Sequence, residues 1–282
     1  MRFATINEGG RPRIAVVRGD RLLPLAMPEA QFGSLPAIAQ SGAEALQRIQ
    51  GWVQRQVESS YRSLDEVELG PAVPEPGAIY TIGLNYPSPS EAKDVVPDRP
   101  LVYAKLPTSV SGHGSAVTWD RSLTANVDPE VELGVIIGRP AVAVAPGEAM
   151  RHVFGYTCVN DMSSRDPWLD GDQWLLGKSL DGFCPVGPYV VSRDEVEPAR
   201  LRLGCTLNGV PIQDGSTAQM RFSIAEVIAY LSHHVMLRPG DLIATGTPAR
   251  LAEPMGPERH LQAGDVVTAW IEHIGELTTI IV

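Results

Sequence analysis

Two glutamates lie two residues apart in a segment whose other residues are mostly apolar. Glu130 and Glu132 belong to residues 128–138, with the sequence Asp-Pro-Glu-Val-Glu-Leu-Gly-Val-Ile-Ile-Gly. Because side chains alternate between the two faces of a strand, both carboxylates point to the same side. Burial of two like charges is costly unless a cation lies between them. The spacing therefore indicates a site for a divalent metal ion.

A third carboxylate, Asp161, ends another short β-type run at residues 155–161. Together with Glu130 and Glu132 it offers only oxygen ligands, which hard ions such as Mg²⁺, Mn²⁺ or Ca²⁺ prefer. Three carboxylates leave coordination positions for water and for a chelating substrate. The alternative interpretation is a solvated strand face followed by a turn aspartate. The motifs further along the chain favour the metal site.

A series of ordered motifs accompanies these carboxylates from residue 79 to the C-terminus. The motifs are Gly-Leu-Asn-Tyr at 83–86, Ser-Ser-Arg-Asp at 163–166, a glycine-rich run at 171–188, Asn-Gly at 208–209, Ser-Thr-Ala-Gln-Met at 216–220 and Thr-Gly-Thr-Pro at 245–248. In this order they resemble the motifs of the fumarylacetoacetate hydrolase superfamily. The resemblance is greatest to its acylpyruvate hydrolase and 2-hydroxyhepta-2,4-diene-1,7-dioate isomerase type.

The resemblance implies a mainly β, α+β fold, in which a small β-rich N-terminal domain precedes a mixed β-roll catalytic domain. It implies Glu130, Glu132 and Asp161 as metal ligands, with Mg²⁺ as the expected cofactor and Mn²⁺ or Ca²⁺ as alternatives. Lys178 resembles the family's active-site lysine, which can donate a hydrogen bond to a developing oxyanion. The residues expected to bind the substrate are Tyr86, Arg165, Trp168, Gln173, Gly246 and Thr247.

Two basic residues of these motifs have alternative interpretations. A lysine is seldom buried without a partner, so Lys178 considered alone would be a surface residue. Three nearby carboxylates and a metal ion would instead give it a role in charge balance. Arg165 is either a substrate contact or a structural ion-pair partner of Asp161 or Asp166, and the sequence leaves both possibilities open.

Two positions depart from the family pattern. Relatives have a histidine and then a glutamate on a short lid helix, whereas this chain has Pro89 at the histidine position and keeps Glu91. Prolines in this segment also oppose an ordinary helix. The pair of residues that activates water in hydrolytic members is therefore incomplete. Trp168 replaces a substrate-binding glutamine of many relatives, which predicts an apolar wall and a preference for substrates larger and less polar than small diacids.

Glu91 and His113 are the two candidates for a general base in place of the missing histidine. Glu91 is the remaining member of the lid pair. His113 lies between two glycines, which allow the backbone to approach a ligand closely. Histidine also changes its charge near neutral pH, as a general base must. We therefore expect one of these two residues to act on a proton of the substrate or of water.

The candidate residues suit chemistry on a 2-oxo acid or a 1,3-dicarbonyl compound. The two oxygens of such a molecule can chelate a divalent ion, and the ion then withdraws electron density from the carbon chain of the molecule. Cleavage of the adjacent carbon–carbon bond then leaves an enolate that the ion and Lys178 stabilise. We expect hydrolysis of that bond, with decarboxylation or keto–enol tautomerisation as the close alternative. A non-catalytic metal-binding homologue is a remote third possibility, since Lys178 and Thr247 are retained.

Composition restricts the kind of partner. The chain has 282 residues and a formal net charge of −10 at pH 7, which opposes binding to nucleic acid or to an anionic membrane surface. No apolar stretch approaches the roughly 18 residues of a membrane-spanning helix, and the N-terminus has no signal-peptide pattern. Three scattered cysteines suggest reduced thiols. We expect a cytoplasmic enzyme that acts on a small molecule and, from the family resemblance, forms a homodimer.

The pattern of turns predicts a small β-rich domain over residues 1–70 and the catalytic domain over residues 71–282. Short apolar runs separated by glycine turns predict the strands of the first domain, and apolar periodicity predicts a helix over 43–57. In the second domain, Asn-Gly at 208–209 predicts a β-hairpin. Ser-Ile-Ala-Glu at 223–226 predicts a capping box that begins a helix.

Overall fold

The computed structural model describes residues 1–27, 32–88, 97–166, 168–169, 172–251 and 259–282, and in these ranges the chain is mainly β, as the sequence predicts. The strands are β1 (Arg2–Glu8), β2 (Arg11–Arg18), β3 (Arg21–Pro24), β4 (Arg62–Ser63), β5 (Ile79–Gly83), β6 (Leu101–Lys105), β7 (Val110–Ser111), β8 (Ser115–Val117), β9 (Val127–Asp128), β10 (Val131–Ile137), β11 (Val153–Asn160), β12 (Ser163–Ser164), β13 (Cys184–Ser192), β14 (Arg202–Leu207), β15 (Val210–Ser216), β16 (Leu242–Ala244), β17 (Val266–Ile271) and β18 (Gly275–Ile281). The α-helices are α1 (Leu35–Val53), α2 (Pro146–Ala149), α3 (Trp174–Lys178) and α4 (Ile224–His234). Within these ranges no helix is long and apolar enough to cross a membrane.

Two mixed sheets make up most of the fold. The larger has the order β4-β3-β2-β1-β13-β11-β10-β16-β5-β6, with β7 paired to β13. The smaller has the order β15-β14-β17-β18-β8, and β9 pairs with β12 separately. β10 lies near the middle of the larger sheet and every one of its residues is buried. A strand covered on both faces needs a nearly continuous apolar sequence, which explains its Val, Leu and Ile content.

The N-terminal strands extend the larger sheet. β1 pairs antiparallel with β13, and Phe3 lies opposite Val190 in this ladder. Just after residue 70, the buried Ala72 donates its N–H to the Val186 carbonyl at 2.9 Å. Strands from both predicted domains therefore belong to one sheet, and the boundary near residue 70 stays a prediction.

Helix α1 differs from its sequence prediction at both ends. It begins at Leu35 and ends at Val53, instead of covering residues 43–57. Ser34 caps its first turn by accepting the Ala37 N–H at 3.3 Å. Two helical segments meet at Gly42, whose φ of 64° is not helical. This kink interrupts the apolar periodicity, so the first segment escapes a search for one continuous amphipathic face.

The ladder between β10 and β11 brings the predicted metal ligands together. Val131 lies opposite Asn160, and the Asp161 N–H donates to the Glu130 carbonyl at 2.8 Å. The start of β10 is therefore next to the end of β11. Glu132 then lies beside Asp161 although the two residues are distant in the sequence.

A buried asparagine joins three segments around this end of the sheet. Asn85 follows β5, and its Nδ2 donates to the carbonyls of Thr245 at 2.7 Å and Phe222 at 3.2 Å. Its Oδ1 accepts the Phe222 N–H at 2.8 Å. Both ends of the side-chain amide are therefore satisfied, and the segment after β16 is held against the segment after β5.

We expect Asn85→Ala to lower the free energy of unfolding by about 2–4 kcal/mol, because buried backbone groups at Phe222 and Thr245 would lose hydrogen bonds. Urea-induced unfolding measures the change. Asn7→Ala is the matched control, since Asn7 is exposed and makes one 3.3 Å bond to Glu68. The control should change the free energy by less than about 0.5 kcal/mol. Equal effects of the two substitutions would contradict the bridging role of Asn85.

Candidate metal and substrate site

Three carboxylates converge where β10 begins and β11 ends. One oxygen each of Glu130, Glu132 and Asp161 lies within 4.8 Å of the other two. Glu132 and Asp161 are buried, and the Glu130 side chain is 13% exposed. Oxygens bound 2.0–2.6 Å from a single Mg²⁺ or Ca²⁺ ion lie at most about 4–5 Å apart. The spacing and the all-oxygen ligand set therefore fit one hard divalent ion.

Two lysines hold the carboxylate of Asp161 between them. Lys105 Nζ lies 2.6 Å from Asp161 Oδ1 and also donates to the Met162 carbonyl at 3.0 Å. Lys178 Nζ lies 2.7 Å from Asp161 Oδ2. Burial opposes ionisation of Asp161, but the two ammonium groups outweigh it and lower the pKa of this carboxyl. Asp161 is therefore ionised before any metal binds.

Lys178 is also in contact with other groups of the cluster. Its Nζ donates to Ser163 Oγ at 2.7 Å and lies 3.3 Å from Glu130 Oε2. Burial alone would lower the pKa of Lys178, but the neighbouring carboxylates raise it above its ordinary value. A protonated Lys178 can donate hydrogen bonds into the site.

Glu132 is the carboxyl whose negative charge is least compensated by neighbouring positive groups. Burial raises its pKa well above the ordinary value, and the negative charges of Asp161 and Glu130 raise it further. The Gly246 N–H donates to Glu132 Oε2 at 2.8 Å, which offsets part of this effect. A divalent cation would favour the ionised form of Glu132. The charges around Glu132 and the spacing of the three carboxylates therefore both fit a single divalent ion.

Gly246 is required for this backbone contact. Its φ is +100°, and a Cβ at this position would lie 2.7 Å from Asn85 Cβ and 2.9 Å from the Ile82 carbonyl. A larger residue would therefore displace the Gly246 N–H from Glu132. The glycine of the Thr-Gly-Thr motif thus has a steric explanation in this fold.

Thr247 is oriented by a glutamine that the sequence analysis missed. Gln213 Nε2 donates to Thr247 Oγ1 at 2.7 Å and to the Pro248 carbonyl at 2.7 Å. Gln213 Oε1 accepts the Val131 N–H at 3.0 Å. Since the Thr247 oxygen accepts from Gln213, its own O–H can donate to a ligand in the cavity.

Arg165 forms ion pairs, but with partners other than those expected. Its Nε lies 3.3 Å from Asp128 Oδ2, and its guanidinium also contacts Glu130. The sequence had suggested Asp161 or Asp166 as structural partners. Burial raises the pKa of Glu130, but Arg165 and Lys178 outweigh this effect and lower it. Arg165 thus stabilises one ligand carboxylate while it lines the cavity.

A cavity of about 340 Å³ opens beside the three carboxylates. Tyr86, Arg165 and Thr247, which the sequence predicts as substrate contacts, line its wall together with Lys178, the predicted catalytic residue, whereas Gly246 does not line it. Within the described part of the chain, the buried Tyr86 Oη and Thr81 Oγ1 have no hydrogen-bond partner. Buried polar atoms are seldom left unpaired, and both residues line this cavity.

Other candidates lie outside this cavity. Trp168 is 59% exposed and Gln173 is also exposed, and neither lines the wall. The apolar wall that the sequence predicts at Trp168 is therefore not part of this cavity. His113 is turned toward β18, where its Nδ1 accepts the Thr278 N–H at 3.2 Å. Glu91, like Pro89, lies outside the described residues.

Several residues of the site were missed by the sequence analysis. Trp174 lines the cavity and stacks on Tyr103 with 4.7 Å between ring centroids. Lys105 contacts Asp161, Gln213 donates a hydrogen bond to Thr247, and Arg250 lines the cavity wall. One signal was available for Lys105, since a lysine that ends an apolar strand needs a carboxylate partner if it is buried. The other residues are brought to the site by contacts between distant segments.

Comparisons with known proteins identify the family of the chain. The family model for the C-terminal domain of fumarylacetoacetate hydrolase matches residues 78–282. Oxaloacetate tautomerase YisK of Bacillus subtilis (strain 168) is 35% identical over 299 residues, which cover 99% of this chain and 99% of the relative.

Two solved structures are similar over the whole chain. A fumarylacetoacetate hydrolase from psychrophilic Exiguobacterium antarcticum has a TM-score of 0.85 and 31% identity, and the match covers 100% of this chain and 99% of the other. Maleylpyruvate hydrolase from Sphingobium sp. SYK-6, in complex with manganese(II) and pyruvate, has a TM-score of 0.82 and 26% identity, with coverage of 100% and 99%. By sequence and by fold, the chain belongs to the fumarylacetoacetate hydrolase family.

Proposed function

We propose that this protein is a divalent-metal-dependent enzyme that interconverts the keto and enol forms of a 2-oxo acid. The observation that carries the proposal is the position of Lys178 Nζ at the cavity wall, in contact with two of the three candidate ligand carboxylates. The 35% identity to an oxaloacetate tautomerase supports this reaction. Oxaloacetate is therefore the first substrate to test.

Glu130, Glu132 and Asp161 are the proposed ligands of an Mg²⁺ or Mn²⁺ ion. A bound ion would act as a Lewis acid and polarise the oxygens of a 2-oxo acid that coordinates it. A related maleylpyruvate hydrolase structure contains manganese(II) and pyruvate, which supports this assignment. The unpaired Tyr86 Oη and the Thr247 O–H are the proposed donors to the substrate carboxylate.

Lys178 is the proposed donor to the substrate oxygen that gains charge. Keto–enol exchange removes a proton from C3 and places a proton on the 2-oxo oxygen, so negative charge accumulates on that oxygen as the C3 proton leaves. A preorganised cation next to this oxygen stabilises the transition state more than the ground state. Because Lys178 is already protonated, the C3 proton needs another acceptor. Glu91 stays our sequence-based proposal for that acceptor.

Carbon–carbon hydrolysis, the first expectation from the sequence, has a further requirement. It needs a base that activates a water molecule, and such bases typically contribute about 10²–10⁴ in rate. Pro89 replaces the lid histidine, and His113 lies outside the cavity. Keto–enol exchange also needs a base, for which Glu91 is proposed, but it does not need an activated water molecule that attacks the substrate. These observations favour tautomerisation as the reaction of this chain.

We expect Glu132→Gln to abolish Mn²⁺ binding while the protein stays folded. The substitution removes an ionised ligand, and the glutamine oxygen can still accept the Gly246 N–H. Calorimetric titration of Mn²⁺ measures the affinity, and circular dichroism checks the fold. Glu148→Gln, which changes a carboxylate that is 52% exposed, is the control and should bind as wild type does. Wild-type affinity in Glu132→Gln would place the ion elsewhere.

We expect Lys178→Met to lower kcat for keto–enol exchange of oxaloacetate by about 10²–10³-fold, with little change in KM, because the lost interaction is strongest in the transition state. Exchange of the C3 hydrogens with solvent deuterium, followed by NMR, measures the rate. Lys178→Arg keeps the charge and should lose less activity. An unchanged kcat in Lys178→Met would show that the lysine has a structural role.

Wild-type cleavage of an acylpyruvate that is faster than keto–enol exchange of oxaloacetate would contradict tautomerisation.

A further inference from the structure

We propose that Arg250 binds the second carboxylate of the substrate, so that the cavity selects short dicarboxylic 2-oxo acids over monocarboxylic ones. The inference rests on the proposed function, because it requires the 2-oxo acid end of the substrate to lie at Glu130, Glu132 and Asp161. It adds a specificity-determining residue that the sequence motifs did not indicate.

Arg250 is held in the wall of the cavity but keeps donors for a ligand. Its side chain is 16% exposed. One terminal nitrogen lies 3.4 Å from Asp128 Oδ1, and the other donates to the Arg259 carbonyl at 3.1 Å. Among the described residues, these contacts use two of the five N–H donors of a guanidinium. A guanidinium fixed in this way can bind a carboxylate through two parallel hydrogen bonds.

A short series of ion pairs separates Arg250 from the metal ligands. Arg165 bridges Glu130 and Asp128, and Asp128 in turn contacts Arg250. All four residues line the same cavity. In the proposed arrangement, the 2-oxo acid end of the substrate coordinates the ion at Glu130, Glu132 and Asp161, and the rest of the substrate extends along this wall toward Arg250. The cavity volume of about 340 Å³ suits a small molecule.

The described charged groups around the cavity balance in number. The carboxylates of the wall are Asp128, Glu130, Glu132 and Asp161, and the lysines and arginines that contact them are Lys105, Lys178, Arg165 and Arg250. A divalent metal ion at the carboxylates would add positive charge to this set, which favours an anionic substrate.

The proposed role of Arg250 differs from the substrate preference that the sequence predicts from Trp168. Trp168 suggested an apolar wall and bulky, less polar substrates, but its side chain lies outside the cavity. The wall beyond Asp128 is formed instead by Arg250. An acidic group of the substrate is therefore stabilised there better than an apolar group of the same size.

Binding measurements test Arg250 separately from the reaction. The probes are oxaloacetate and 2-oxobutanoate, which have the same number of carbons but differ in the second carboxylate. Calorimetric titration of the Mg²⁺-loaded protein should show tighter binding of oxaloacetate, by about 10–100-fold. Arg250→Met should abolish this preference and leave the affinity for 2-oxobutanoate unchanged. Arg250→Lys should keep part of the preference, since it retains charge but not the two-pronged geometry.

Arg202→Met is the matched control. Arg202 is 63% exposed, pairs with Asp214 and does not line the cavity, so its removal should leave the preference intact. An unchanged preference in Arg250→Met would overturn the inference even if the enzyme tautomerises oxaloacetate. Loss of the preference in Arg250→Met without any keto–enol turnover in wild type would support the role of Arg250 and reject the proposed reaction.

Discussion

The ion pairs between Asp161 and two buried lysines are the interaction on which the site depends. Lys105 at the end of β6 contacts one carboxylate oxygen, and Lys178 at the end of α3 contacts the other. Removal of one member of a buried ion pair typically costs about 3–5 kcal/mol, because an uncompensated charge remains. The pairs therefore fix β6, β11 and α3 relative to one another. They also direct one oxygen of Asp161 toward the cavity side of the sheet.

The same ion pairs create the electrostatic asymmetry of the candidate metal site. Lys105, Lys178 and Arg165 supply positive charge to Asp161 and Glu130, and the pKa of both carboxyls is lowered. The pKa of Glu132 is raised because burial and its acidic neighbours outweigh the contribution of Lys178. The cluster is thus stable as a folded unit, yet it has one carboxyl that a divalent cation would ionise. This links the packing of the core directly to the proposed chemistry.

Local patterns predicted those features that depend on neighbouring residues. Strand alternation placed Glu130 and Glu132 on one side, and the hairpin at Asn208 and Gly209 has the positive φ values of 52° and 80° that its turn requires. The capping box that begins α4 is also present. The start of α1 was predicted wrongly because a kink at Gly42 divides the helix.

Features that depend on contacts between distant segments were not accessible from the sequence. Lys105 and Asp161 are 56 residues apart, and Asp128 and Arg250 are 122 residues apart, so no spacing rule connects them. The assignment of Trp168 to the substrate site came from a family position and not from local physics. Trp168 is exposed and does not line the described cavity, and its role in substrate binding stays a prediction.

The most direct measurement is a crystal structure of the Mn²⁺-loaded protein with oxalate, an inert analogue of the 2-oxo acid end of the substrate. We expect one anomalous scattering peak within about 2.0–2.6 Å of oxygens from Glu130, Glu132 and Asp161. Lys105 should still contact the second oxygen of Asp161, and Lys178 should contact the oxalate. A manganese peak away from these carboxylates, or a Lys105 that has left Asp161, would contradict the account.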